Sequence, residues 1–280
     1  MKIILGLLVC IIIFSPANYA DTIGYWRFEE GTVNNNASGT GSILDEMGQN
    51  HGTPFNSVVY SDFTATNTIP YNNQSNNRSL YFDDRSGNSR VNLGNSLDFD
   101  ITNEITLEAW FFPVNHNMDG DGATYDAILT KGGLWDTTSS YQLYYNTSAQ
   151  NIRAVIRYGN DTYDHVNFAY SIARDQWIHA ALTVDSSGSV KLYVNGALAG
   201  SANLPTGLTM LSNNREVWIG SASSSTASRG FTGYIDEIRI LDEAITPDQF
   251  LITSNVPEPS YLLVLGISFI FVFIKNRNRS

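Results

Sequence analysis

Between residues 104 and 111 the chain alternates strictly: Ile105, Leu107, Ala109 and Phe111 occupy one parity, Glu104, Thr106, Glu108 and Trp110 the other. A period of two marks a β-strand with one buried face. Trp177-Ile178-His179-Ala180-Ala181-Leu182-Thr183-Val184 repeats the pattern. Asp185-Ser186-Ser187-Gly188 then turns the chain into residues 190–194, and Asn195-Gly196 turns it again. An Asn-Gly pair between β-rich runs signals a hairpin, because both residues tolerate positive φ. Residues 216–220 and 233–241 supply later strands, and polar Asn/Ser/Gly-rich loops at 32–42, 67–79 and 221–229 separate them. Helix is signalled within the body only at Thr246-Pro247-Asp248-Gln249, with Thr as N-cap, Pro at the first position and Gln three residues on. Many short strands joined by turn chemistry predict an all-β sandwich.

Both ends differ from this body. Met1-Lys2, an apolar run over 3–14 and then Ser15-Pro16-Ala17-Asn18-Tyr19-Ala20 predict a secretory signal peptide over residues 1–20. The only cysteine, Cys10, lies inside it, so the exported chain carries no disulfide, thiolate catalyst or Cys-ligated metal. At the other end, Pro257-Glu258-Pro259 precedes an apolar run over 261–274, followed by Lys275, Arg277 and Arg279. The prolines disfavour helix before Ser260. The run is short against the roughly 20 residues of a comfortable membrane span. It suits a thin, tilted or transient span with the basic residues on the cytoplasmic side; a permanent single-pass anchor is the alternative.

The stretch between, residues 21–253, is ordinary in length for one β-sandwich. Removing Lys2, Lys275, Arg277, Arg279 and Glu258 from the totals of 16 basic and 27 acidic residues leaves 12 and 26, a net −14. Such a surface disfavours nucleic acid and anionic lipid as partners and is compatible with neutral glycans or divalent cations.

The C-terminal segment 254–280 resembles the PEP-CTERM signal of Gram-negative bacteria that secrete exopolysaccharide. That resemblance implies recognition by an exosortase-like membrane protease, transient or permanent membrane contact through 261–274, and delivery to the envelope, cell surface or exterior. The body has its own likeness. Residues 24–31 (Gly24-Tyr25-Trp26-Arg27-Phe28-Glu29-Glu30-Gly31), 45–52, 79–84, 105–110, 177–179, 192–196 and 231–240 resemble, in order, the motifs of laminin-G-like, concanavalin A-like jelly rolls. This implies a two-sheet antiparallel jelly-roll sandwich over residues 21–253, flanked by the signal peptide and a short C-terminal hydrophobic helix. The scaffold hosts lectins, adhesion modules, hydrolases and spacers, so the likeness speaks to fold more than to function.

Catalytic signals are thin. Glu104 and Glu108 share a strand face, and retaining glycosidases of this fold use a Glu-x-Asp-x-Glu pattern there. Here the middle position is Thr106, and two strand steps separate the carboxylates by about 13 Å where a retaining pair needs roughly 5 Å. His179 alternates with its strand and fits a hydrogen-bonded structural role. His51, His116 and His165 show no metal-ligand spacing. No nucleophile elbow, P-loop or dinucleotide fingerprint is present.

The laminin-G resemblance implies one structural Ca²⁺, a hard cation held by oxygen ligands. The matching positions are Asp236, Asp45, Asn50 and Glu29. Asp236 shares a parity with Ile238 and Ile240, which predicts an inward carboxylate that must be paired, hydrogen-bonded or metal-bound. Asp119-Gly120-Asp121-Gly122 resembles a cation loop without the length or closing Glu of an EF-hand. For a sugar, the candidates are the rings of Trp135, Tyr144, Tyr158 and Tyr163, since aromatic faces take the C–H faces of pyranoses; core or strand-edge roles compete for all four.

Three functional expectations follow: a secreted non-catalytic module binding a carbohydrate or extracellular matrix partner, a structural exopolysaccharide-matrix protein without a defined ligand, and a glycan-active hydrolase.

Overall fold

The computed structural model describes residues 22–83, 89–114, 125–133, 139–159, 165–222 and 229–252. The signal peptide 1–20, the segment 254–280 with its sorting residues, the 119–122 loop, His116, Trp135 and Tyr163 lie outside the described residues.

Two antiparallel sheets form, with strands numbered in chain order. The first contains β13 (Ala197–Asn203), β12 (Ser189–Val194), β11 (Ile178–Val184), β6 (Ile105–Pro113), β15 (Gly233–Leu241), β4 (Ser79–Phe82) and β3 (Val59–Ser61), with β1 (Thr22–Trp26) also against β15. The second contains β10 (His165–Ser171), β9 (Asn151–Arg157), β8 (Tyr141–Asn146), β7 (Tyr125–Lys131), β14 (Val217–Ile219), β5 (Arg90–Gly94) and β2 (Thr53–Phe55). The expected all-β, two-sheet antiparallel jelly roll is what the chain adopts.

The core lies between the sheets. Ile105, Leu107, Ala109 and Phe111 of β6 are fully buried in one cluster with Tyr141, Leu143 and Tyr145 of β8 and Ile152, Ala154 and Ile156 of β9. Each large apolar side chain taken from water stabilises the fold by about 1.5–3 kcal/mol. The turns are those the sequence predicts. Asn195 and Gly196 take φ of 49° and 78° between β12 and β13, and Asp185 Oδ1 accepts from Ser187 N and Ser189 N, both at 3.0 Å. At residues 247–249 the helix signal produces a single 3₁₀ turn.

The central strands of the first sheet, β6, β11 and β15, are covered on both faces, which alternation alone does not predict. Thr106 and Glu108 are sealed from solvent and Trp110 is 8% exposed. The strap after β15 crosses their outer face: Phe250 packs at 5.9 Å from the His179 ring and 5.1 Å from that of Tyr193. Leu251 N donates to Glu108 Oε1 over 3.0 Å.

One irregularity positions the candidate site. β15 pairs with β4 through Gly233, Tyr234 and Ile235, then with β1 through Ile238, Arg239, Ile240 and Leu241. Asp236 and Glu237 sit at this fork, where the register against β6 shifts and Glu237 takes φ of 49°. A bulge reverses the parity of a strand. Ile235, Ile238 and Ile240 all reach the core, while Asp236 lies opposite Trp110 and is bonded by the loop that precedes β4. Its carboxylate is therefore buried on the outer side of the sheet, not inward beside Ile238 and Ile240 as simple alternation predicts.

Candidate ligand-binding cleft

On the outer face of the first sheet, the second half of β15, β1, the strap and the loops at 44–50 and 69–76 enclose a cleft of about 240 Å³. Its floor is made of buried side chains: Tyr25, Arg239, Leu241, Ile245 and Leu251. Its rim is polar, with Glu46, Asn72, Gln74 and Gln249, and Met47 stands there 43% exposed. Arg239 lies 5.0 Å from the centroid of the Tyr71 ring, a cation–π contact that fixes one wall. An apolar floor with a few convergent polar groups is the common form of a small-ligand site.

The floor is held by a buried ionic network. Arg239 Nε donates to Glu108 Oε2 at 2.8 Å, a second N–H from Nη2 reaches the same oxygen, and Nη2 also donates to Gln249 O at 2.9 Å. On the other carboxylate oxygen, His179 Nε2 donates at 3.0 Å beside the Leu251 amide. Burial alone would raise Glu108; the Arg239 and His179 partners and the Leu251 N–H outweigh it and hold this carboxyl below the usual carboxylate range. A carboxylate so fully engaged has no free lone pair with which to act as nucleophile or base. His179 takes the hydrogen-bonded structural role that its alternation predicts.

Behind Tyr25 lies the fork pair. Tyr25 Oη donates to Glu237 Oε2, and Arg27 Nε donates to Glu237 Oε1 at 3.2 Å. Asp236 Oδ2 accepts from Ala65 N at 3.3 Å and Asn76 Nδ2 at 2.8 Å, so one oxygen staples both ends of the 65–76 loop that carries Tyr71, Asn72 and Gln74. Burial, then the neighbouring Glu237 charge, raises Asp236 well above its ordinary value. Burial likewise raises Glu237, to about 7.

The four cation candidates are not brought together. Asp45 is saturated: Oδ1 accepts from Tyr25 N and Met47 N, and Oδ2 from Gln49 N and Asn50 N, at 2.8–3.2 Å. It organises the 45–50 loop. Asn50 Nδ2 donates to Ile23 O, and Glu29 accepts from Asn77 N and Arg78 N. Only Asp236 keeps a buried acceptor, Oδ1, without a hydrogen-bond partner, and Asn76 Oδ1 is another such oxygen on its own hydrogen-bond partner. Among the described residues no three His, Cys, Asp or Glu side chains converge as a metal group. The buried hard oxygens left without a partner here are thus those of Asp236 and Asn76, a residue the sequence motifs do not single out.

The described aromatic candidates also separate. Tyr144 lies on the outer face of the second sheet, 1% exposed among Ala127, Val155 and Ala222, with burial raising its hydroxyl to about 12. Tyr158 packs half-buried against the main core. Tyr144 offers no open ring face, and neither ring lines the cleft. The cleft's own rings, Tyr25 and Tyr71, were missed because one sits inside a strand motif and the other in a loop. A usable signal was the apolar Ile69-Pro70-Tyr71 in an otherwise Asn-rich stretch.

Solved structures share this architecture. Domain 4 of AbnA, an extracellular GH43 arabinanase of Geobacillus stearothermophilus solved in complex with arabinotriose, superposes with a TM-score of 0.56 at 18% identity, covering 83% of this chain and 97% of that one. The botulinum neurotoxin serotype D and serotype G binding domains give TM-scores of 0.52 and 0.57 at 16% and 12% identity. They match 82% and 83% of this chain, which spans half the length of each toxin domain. At such identities the likeness is one of fold. No curated protein sequence matches significantly. The family model described as the concanavalin A-like lectin/glucanases superfamily matches residues 85–250, and the chain belongs to that superfamily.

Proposed function

We propose that this chain is an exported, non-catalytic module that binds a glycan in the cleft floored by Tyr25, Arg239 and Leu251. The observation that carries this reading is the chemistry of the cleft lining: an apolar floor, amide side chains at the rim and, among the described residues, a single carboxylate, Glu46. A glycosidase needs two carboxyl groups about 5–9.5 Å apart flanking the bond; here the other nearby carboxylates are engaged beneath the floor. The net acidic chain favours an uncharged ligand, and the arabinotriose complex of the arabinanase domain supports a sugar. Delivery is assigned to the signal peptide and to exosortase-type processing of the Pro257-Glu258-Pro259 segment, with release to the envelope or exterior. One Ca²⁺ at Asp236 and Asn76 is part of the proposal, since a divalent ion would neutralise two adjacent buried carboxylates that otherwise repel.

A glycan array probed with calcium and with chelator tests the binding; retention of no glycan under either condition refutes it. Intact mass of the protein from its native envelope tests the sorting: a chain short by the final two dozen residues supports processing, and full length makes the tail an anchor. A second reading, a matrix component without a ligand, is favoured by one observation. Edge strand β10 pairs regularly with β9 over its whole length and carries no Asp, Glu, Lys, Arg or Pro, the kind of edge that invites strand pairing between copies. Sedimentation across a concentration series would reveal such assembly.

A further inference from the structure

The cleft's chemistry points to one kind of sugar, an inference that rests on the glycan-binding reading above. Arg239 spends Nε and Nη2 on Glu108 and on the Gln249 carbonyl. Its Nη1 makes no hydrogen bond among the described residues and is not sealed from solvent. A guanidinium has five N–H donors, two of them on this nitrogen. The cleft therefore holds an unspent pair of donors on a cation whose charge Glu108 already balances. An anionic ligand gains little from such a balanced cation, and Glu46 at the rim opposes it. A neutral oxygen with strong accepting power fits better, and an amide carbonyl accepts more strongly than a hydroxyl.

Around that donor edge Leu241, Ile245 and Leu251 are almost wholly covered, and the open apolar surface of the lining is that of Met47, 43% exposed. A sugar bearing only hydroxyls would set polar groups against the Met47 side chain without partners, which binding penalises. A ligand group that joins a carbonyl oxygen to a methyl satisfies both halves at once. We propose that the cleft selects an N-acetylated hexose unit, its acetamido oxygen accepting from Arg239 Nη1 and its methyl packing against Met47. The rim amides of Asn72 and Gln74 then face the ring hydroxyls.

Calorimetry of the full chain against three trisaccharides of equal length tests this: tri-N-acetylchitotriose, its fully deacetylated counterpart and cellotriose. The deacetylated sugar is cationic and the chain is acidic, so long-range electrostatics favours the wrong ligand and a preference for the acetylated one needs the specific contact. The expected result is binding of the acetylated trimer roughly tenfold or more tighter than either of the others. Met47→Asp should weaken it at least fivefold with an unchanged melting temperature, because Met47 is exposed. Equal or tighter binding of cellotriose or the deacetylated trimer would overturn the acetamido assignment while leaving glycan binding intact. Acetylated-trimer binding unaffected by Met47→Asp would remove it from this cleft. Failure of every trisaccharide and every array glycan would overturn the functional reading itself.

Discussion

Arg239 and Glu108 face each other across β15 and β6, the guanidinium Nε 2.8 Å from Oε2, with the carboxylate sealed from solvent beneath Leu251 and Phe250. This pair sets the floor of the cleft and ties the strap to the sheet. Removing one partner of such a buried pair strands the other charge, at a cost of about 3–5 kcal/mol. Glu108→Gln should therefore lower the urea midpoint strongly. The double variant Glu108→Leu/Arg239→Met should recover part of the loss, since replacing both ions removes the stranded charge. Equal destabilisation by the single and double variants would contradict this account.

Stability should pass through a maximum in mildly acid solution. Glu108 lies below its ordinary value in the fold, so its contribution is present above the unfolded carboxylate value of about 4.3 and is lost as pH falls through the folded value. Glu237 has the opposite sign. Raised to about 7, it contributes fully below about 4.3 and loses that contribution as pH rises through 7. Asp236 acts in the same direction as Glu237. Melting in chelator across pH 3–9 should show decline on both sides, and Glu237→Gln should flatten the alkaline limb. An alkaline limb unchanged in that variant would be inconsistent with the fork pair as its origin.

Calcium gives a separate test. An ion held only by the folded state raises the melting temperature by mass action. Chelation should lower it in the wild type and leave Asp236→Asn unaffected. A wild-type value indifferent to chelator would remove the cation from the account.

Asp45 should be costly to lose without touching any metal. Its four backbone N–H partners place it as the organiser of the 45–50 loop. Asp45→Ala should destabilise by about 2–4 kcal/mol in denaturant titration, equally with and without calcium. A loss that appears only when calcium is present would instead return Asp45 to the ion.

Much of the fold was legible because alternation and turn chemistry are local. β6, β11 and the Asn195-Gly196 hairpin follow directly from residue order. The fork was not legible: nothing in Ile235-Asp236-Glu237-Ile238 announces a bulge, because the reversal of parity comes from β15 changing partners between β4 and β1. For the same reason the Asn76–Asp236 contact, 160 residues apart in sequence, was out of reach. Tyr144 shows the converse limit: a polar-tipped ring in an aromatic run can line a face or be buried on it, and its exposure is decided by what packs above.

The claim on which the rest depends is that the cleft beside Arg239 binds a glycan without cleaving it. Calorimetry of the wild type and Tyr71→Ala against the best array glycan, with product analysis of the same samples, tests it most directly. The account predicts binding that weakens about tenfold, or 1.4 kcal/mol, when the Tyr71 wall is removed, with the sugar recovered intact. Undiminished affinity in Tyr71→Ala, or shortened sugar chains after incubation, would contradict it.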